Sequence, residues 1–456
     1  MEAGDHRTAA LEFTAAWEAS GKRYELVPLA GNAWRLGGAR TDRARFWRAV
    51  YSAGLPSGTS DRYQLGSDLL ESGVPTEALH CFQSVVADRP VDPAAHSACA
   101  SAYRSAGRLD EAWRSAEQAL SRDPHSGAIL LTAAQIRHCQ GRVADALALL
   151  DRALAARPEH APTRLQRAMT RLLSEDFVGG WEDFEARNRP VIPSPTKEWM
   201  GGTISGSIAV LAEQGLGDLF QFLRFVPMLQ ERGATRIVVE SHPAAVSLLQ
   251  ANGIEAARQG ALPATQWAVP LLSLPHRLAI GENRQGDAVP YLAGTNPRPV
   301  NPTSKCRVGI TWRGNPEFLD TFLRDFDPAL LEPLTEAAGA DWISLQFGEP
   351  LPMAASAAVE PPLGGDWLDT ANRLATLDGV ISVDTSIAHL AGAMGIPVLI
   401  MLPFAPDWRW LRTGSTSAWY PTATLARQSS SGDWASVIPQ VHRWLAALPR
   451  RGASQL

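Results

Sequence analysis

Four loops of this chain carry residue types that can do chemistry. In VDTSIAHLAGAMGIP, Val383 to Pro397, an apolar run ends in Asp384, Thr385 and Ser386, and a helical pattern follows whose first turn holds His389. Small polar residues between a strand and a helix place the helix's free N–H groups and its positive dipole end at the strand's carboxyl end, where a pyrophosphate would sit. The same pattern reads equally well as a capped helix with a packed histidine. AEQGLGDLFQF supplies Gly215 and Gly217, which let backbone approach a ligand, and Asp218 where a helix begins. Asp218 suits an N-cap worth about 1 kcal/mol or a general base facing a cleft; pattern alone favours the cap, and the spacing lacks the third glycine of a dinucleotide site. TWRGNPEFLDTFLRD adds Arg313 and Arg324, whose forked donors match phosphate oxygens, although each alone also reads as a solvated surface residue. PFAPDWRWL sets Trp408 and Trp410 beside Arg409 and Arg412. The rings either wall a nucleotide base or fill a core, and core filling is expected for at least one.

The elements that position these loops form the carboxy-terminal half. After Arg189 the composition shifts through PVIPSPTKEWMGG, a connector rich in Pro and Gly. Strands are expected at Ile208 to Leu211 and near Ile237 to Glu240, with helices running to Gln230 and to Gly253. A second series has a strand at Val308 to Trp312 and continues through DWISLQF, LDGVISVDTS and IPVLIMLPF. Alternating strands and helices imply parallel sheets, and nearly continuous apolar strands imply sheets covered on both faces. Two such layers, 196–295 and 305–450, meet around NPRPVNPTS and imply a cleft, with ligands beyond the strand carboxyl ends.

The amino-terminal half, 1–190, is a repeat. Gly73, Gly107 and Gly141 are 34 residues apart, as are Ala78, Ala112 and Ala146, and Pro90, Pro124 and Pro158. Each unit reads as a helix ending near the Gly, a second helix packing closely at the Ala, and a Pro that stops it. Ala44 and Pro56 extend the phase backward and Gly180 continues it forward, so an α-solenoid is expected. The period resembles the tetratricopeptide repeat over roughly residues 25 to 190, with WRLGGARTDRARFW as a degenerate first unit. The resemblance implies a concave groove that binds a peptide or partner protein rather than a mere prop for the second half.

Composition narrows the class. With 42 Lys plus Arg against 47 Asp plus Glu, the net charge of −5 gives no footprint for nucleic acid or a membrane surface, so an anionic ligand must be held locally. The cysteines Cys81, Cys99, Cys139 and Cys306 lack paired spacing, which favours buried, reduced thiols. Neither a signal peptide nor a run of membrane-spanning length is evident, and a cytoplasmic location is expected.

Taken in order, AEQGLGDLFQFLRFVP, GITWRGNP, ISVDTSIAHLAGAMGIPV and LPFAPDWRWL after a repeat array resemble bacterial tetratricopeptide-repeat glycosyltransferases of the ADP-heptose:lipopolysaccharide heptosyltransferase superfamily. The resemblance covers about residues 196 to 447 and the repeats. It implies two Rossmann-like domains of glycosyltransferase B type, a nucleotide-sugar donor as co-substrate on the carboxy-terminal domain, and inverting transfer without a metal or other cofactor. It implies Asp218 as the catalytic base, Asp384, Thr385, Ser386 and His389 as phosphate contacts, and Arg324 as the cation on the departing diphosphate. The loop after Asn315 departs from the family pattern, with Phe318, Thr321 and Phe322 where related members carry His and an Asp-Arg pair. That departure implies a different sugar, or else a catalytically silent scaffold in which only the repeats bind partners.

Overall fold

A computed structural model gives the fold and describes residues 3–281, 289–295, 305–315, 317, 324–332, 340–350 and 363–448. The altered positions Phe318, Thr321 and Phe322 lie outside the described residues. The chain forms two compact units, Met1–Gln166 with Asn315–Leu323, and Arg167–Gly314 with Arg324–Leu456.

In the first unit the period becomes paired helices: Thr59–Glu71 with Pro75–Asp88, Pro93–Ser105 with Leu109–Arg122, and Gly127–Cys139 with Val143–Ala156. The glycines end the first helix of each pair. Gly73, Gly107 and Gly141 take φ of 79°, 72° and 75°, and the next residue's N–H reaches back five positions, as in Val74 N to Leu69 O at 2.9 Å. Ala78, Ala112 and Ala146 are fully buried, so a methyl group is the largest side chain the paired helices meet at those points. Pro90, Pro124 and Pro158 lie in the turns between pairs. Upstream the pattern fails at Ala39, whose φ is −57°, and aromatic packing takes over: Phe46 lies 5.8 Å from Trp17 and 4.9 Å from Trp47. Glu317, which belongs to this unit, accepts from the Arg40 backbone N–H at 2.5 Å and so caps Arg40–Ser52.

The second unit begins inside the helix Ala161–Leu173, earlier than the composition shift near 190 implies. Arg167 and Arg171 pair with Asp183 (2.6 and 2.8 Å), and a buried ion cluster follows. Arg187 pairs with Glu213 (2.7 Å) and Glu185 (2.9 Å) and donates to Ser273 Oγ (2.8 Å), while Arg277 also pairs with Glu185 (2.9 Å). Burial alone would raise the Glu185 carboxyl, but the Arg187 charge outweighs it and holds the group below its ordinary value. Trp181, on the helix Phe177–Phe184, stacks edge-on to Phe222 (6.0 Å) and Trp408 (5.3 Å). This segment therefore packs with the α/β residues that follow it.

Two parallel sheets make up the rest. The first contains β1 (Lys197–Glu198), β2 (Gly206–Leu211), β3 (Ala234–Ser241), β4 (Ala256–Arg258) and β5 (Trp267–Pro270) in the order β1-β5-β2-β3-β4. The second contains β6 (Arg307–Thr311), β7 (Asp341–Ser344), β8 (Gly379–Val383), β9 (Val398–Leu402) and β10 (Ala423–Arg427) in the order β10-β9-β8-β6-β7. Every residue of β8 and β9 is buried, as the apolar runs imply. The expected helix to Gln230 is instead Leu216–Phe222, a 3-10 turn at Leu223–Phe225 and a short helix at Met228–Glu231. Pro227 lacks an N–H and restricts the residue before it, which explains the break. Strand order reverses between β2 and β5 in the first sheet and between β6 and β8 in the second. Such switch points open a crevice at the strand carboxyl ends.

Candidate functional site

The loops after β2 and β8 meet. β2 leads through Gly215 into the helix Leu216–Phe222, and β8 leads through Asp384 and Thr385 into the helix Ser386–Ala393. Their first turns touch at Gly217, where an added Cβ would stand 2.9 Å from His389 Cδ2 and 3.6 Å from the Ser386 Cα. Gly217 therefore serves helix–helix approach in this structure. Gly215 is the extended N-cap residue, with φ −93° and ψ 166°.

Asp218 is the third residue of its helix, and both of its oxygens are engaged. Oδ2 accepts from the Gly215 N–H at 3.1 Å, which is the capping function, while Oδ1 accepts from Arg409 Nη2. Its side chain is 17% exposed. Arg409, 11% exposed, also donates from Nη1 to Asp407 (2.9 Å) and from Nε to Gln221 Oε1 (2.5 Å), and its guanidinium lies 4.4 Å over the Trp408 ring. Burial works to lower the Arg409 pKa, and the Asp407 and Asp218 charges overcome it and hold the guanidinium above its ordinary value.

Asp384 is buried at the carboxyl end of β8. Arg324 Nη1 donates to its carbonyl (3.5 Å) and its Oδ2 (3.4 Å), and His389 Nε2 lies 3.7 Å from Oδ1. Burial pushes the Asp384 carboxyl up, but His389 and the charges of Arg324 and Arg409 outweigh it and keep the group well below the usual carboxylate range. The His389 ring is packed on every side. Nδ1 pairs with Tyr420 Oη (2.9 Å), the face stacks on Trp410 at 5.3 Å, and Tyr420, whose phenol burial pushes well up, closes the edge. Thr385 takes the N-cap position with its hydroxyl turned to Ser382 Oγ (3.0 Å), so it makes no side-chain cap. Ser386 is half-buried at the first helical position.

The remaining expected residues are elsewhere. Arg313 is half-exposed and pairs with Glu349, on the wall of a cavity of about 470 Å³ at the carboxyl end of β6 that Trp312, Asp325 and Phe326 also line. Trp408 is 3% exposed, enclosed by Trp181 (5.3 Å) and Trp419 (5.9 Å), and Arg412 is exposed. Two tryptophans and the guanidinium of Arg409 occupy the Trp408 ring, so the expected pairing of Trp408 with Arg412 as a nucleotide wall is not formed in this arrangement. Arg409, Gln221, Tyr420 and Arg224 also belong to the site, with no role expected for them from sequence. Gln221 was signalled by its place three residues after Asp218 on one helix face. Arg224 is buried, donating to the Trp419 carbonyl (2.7 Å), the Gln221 carbonyl (2.9 Å) and Tyr291 Oη (3.1 Å), and it lies 4.9 Å over the Tyr420 ring.

Comparison with known proteins bears on the helical unit. Protein FlbA of Caulobacter vibrioides is 23% identical over 83% of this chain and 76% of its own length. Among solved structures, TTC0263, a thermophilic TPR protein of Thermus thermophilus, is 17% identical and covers 39% of this chain and 87% of its own, with a TM-score of 0.29. YrrB, a TPR protein with an unusual peptide-binding site, is 21% identical and covers 35% of this chain and 82% of its own, with a TM-score of 0.29. Two family models described as tetratricopeptide repeat match residues 63–116 and 103–172. With the 34-residue period and the helix pairs it builds, these matches identify residues 63–172 as tetratricopeptide repeats.

Proposed function

We propose that the protein is a heptosyltransferase-like glycosyltransferase of the B fold type, which moves a sugar from a nucleoside-diphosphate donor to a hydroxyl or amide of a protein or peptide bound by the repeats. The observation that carries the reading is the meeting of the two switch-point loops at Gly217, which brings Asp218 of one sheet beside the helix entrance of the other. The first-turn N–H groups after Thr385, uncapped by its side chain, would take the diphosphate with Arg324 beside them. Asp218 would take the acceptor's proton as its oxygen or nitrogen attacks the anomeric carbon opposite the diphosphate. The bond from that carbon to the phosphate oxygen breaks, its electron pair leaves on the diphosphate, and the configuration inverts. The guanidinium groups and the helix entrance would do the electrostatic work that a metal does elsewhere. The chemistry would run in the cytoplasm, where free thiols persist.

The test begins with donors. Nucleoside diphosphates and their sugars are screened for a rise in unfolding temperature, and the sugar that protects is then used for transfer. Asp218→Asn is expected to lower transfer by about a hundredfold or more while still binding donor, and His389→Ala to weaken donor binding. Undiminished transfer by Asp218→Asn removes Asp218 from the chemistry. A second reading has its own support: Asp218 and His389 already have protein partners, as in a structural scaffold whose repeats alone bind other proteins. If no nucleotide-sugar protects the chain, that reading prevails.

A further inference from the structure

We propose that Arg409 is a diphosphate-binding residue and that Asp218 competes for it: an arriving diphosphate draws the guanidinium off Asp218, and the exchange frees the carboxylate to act as base. The proposal rests on the glycosyl-transfer reading above and adds to it a residue and an order of events.

The charges around the helix entrance do not suit a diphosphate as they stand. Among the described residues that form ion pairs there, three carboxylates, Asp218, Asp407 and Asp384, share two guanidinium groups, Arg409 and Arg324. Arg409 is committed to the first two carboxylates, and Arg324, its side chain 36% exposed, is held to the third. A diphosphate added to this cluster needs a cation released from a carboxylate. Arg409 is the one whose release has a chemical consequence, because Asp218 Oδ2 caps its helix and Oδ1 is occupied by the guanidinium, so neither oxygen is open to an acceptor's proton until Arg409 leaves. The cost of the exchange is limited: Arg409 keeps Asp407 through Nη1, so the cation is never left buried and alone. The resting arrangement is also incompletely satisfied. Gln221, fully buried, gives its Oε1 to Arg409, while its Nε2 has no hydrogen-bond partner. A buried donor without an acceptor marks a place where another arrangement of the same side chains makes more bonds.

The experiment measures binding of ADP, GDP, UDP and inorganic pyrophosphate by titration calorimetry at fixed salt, on the full chain and on Asp218→Asn, Arg409→Gln and the double variant, each checked for cooperative unfolding. Asn keeps an acceptor for the Gly215 N–H, so the helix cap survives. For whichever diphosphate binds, Asp218→Asn is expected to tighten binding about tenfold or more and Arg409→Gln to weaken it by a similar factor, the least that coupling of close buried charges yields. In the Arg409→Gln background, Asp218→Asn is expected to give no tightening. If Arg409→Gln does not fold, Arg409→Lys replaces it, and the tightening must then shrink because an ammonium lacks the forked geometry. Equal or weaker binding by Asp218→Asn overturns the exchange while leaving glycosyl transfer standing, and undiminished tightening without Arg409 does the same. Failure of every protein to bind any of the four probes overturns both.

Discussion

Replacing Gly217 by Ala probes the contact on which the whole site depends. The added Cβ would stand 2.9 Å from His389 Cδ2, well inside the about 3.5–4.0 Å at which carbon atoms rest. The neighbour is a ring fixed by Tyr420 and Trp410, not the end of a flexible chain, so it cannot swing away without losing its 2.9 Å hydrogen bond. Overpacking of this kind costs about 1–3 kcal/mol. Against it stands the gain of Ala over Gly in a helix, at most about 1 kcal/mol. The net expectation is a loss of up to about 2 kcal/mol, a fall of up to roughly 8 °C in the transition of the α/β unit measured by calorimetry. The decisive measurement is the same substitution in a His389→Ala chain. With the ring gone, the clash vanishes and only the helix gain remains, so Gly217→Ala should there stabilise by up to about 1 kcal/mol. The coupling would be about 1–3 kcal/mol, which two distant sites do not show. If the two substitutions add to within about 0.5 kcal/mol, the helix entrances do not meet at this point, and neither proposal about the site survives.

Three further outcomes are expected. Arg187→Met leaves Glu213 buried without its cation and should cost about 3–5 kcal/mol, with part recovered by adding Glu213→Gln; a loss under about 1 kcal/mol in the calorimeter would show that the cluster does not anchor the segment. For Asp384, the folded carboxyl titrates below the unfolded one, so its stabilising share is complete above about pH 4 and is lost as pH falls below that. The gap in unfolding temperature between wild type and Asp384→Asn should therefore narrow from about pH 6 to about pH 3, and a constant gap contradicts the assignment. Burial pushes the Cys81 and Cys99 thiols up to about 12, so their share of stability is complete below the ordinary thiol pKa and is lost as pH rises toward 12. Cys81→Ala and Cys99→Ala chains should lose less unfolding temperature than wild type between about pH 8 and about pH 10.5, and an equal loss removes the thiols from the alkaline transition.

Repeats are legible in sequence because each unit must solve the same local problem. A helix that turns back after 13 or so residues needs a left-handed residue, and glycine supplies it at 73, 107 and 141. The rule lies in the geometry, however, and not in the residue. One period later Glu175 takes the same conformation at φ 68°, with Asp176 N reaching Arg171 O at 3.0 Å, and a search for glycine passes over it. Four of the described strands carry no such signal, Trp267–Pro270 and Ala423–Arg427 among them, and two of the four show why. Lys197–Glu198 and Ala256–Arg258 are two and three residues long and partly exposed, so no apolar run announces them, and they exist because a neighbouring strand offers a free edge.

The site divides along the same line. Residue types at strand ends point to the loops that meet, because where a strand ends and a helix begins is a local property of the chain. Pairing is not. Arg409 and Arg412 are three residues apart in one motif and look equivalent in sequence, yet one is buried on Asp218, 191 residues away, and the other faces solvent. Nothing local distinguishes them, since the choice is made by packing: Trp408 and Trp410 turn inward, Trp410 onto His389, and Arg409 between them is brought to the Asp218 helix. The same packing decides what Asp218 does. A carboxylate whose strongest partner is a buried guanidinium is a structural group until something else takes that guanidinium, the part proposed above for a diphosphate at the neighbouring helix entrance.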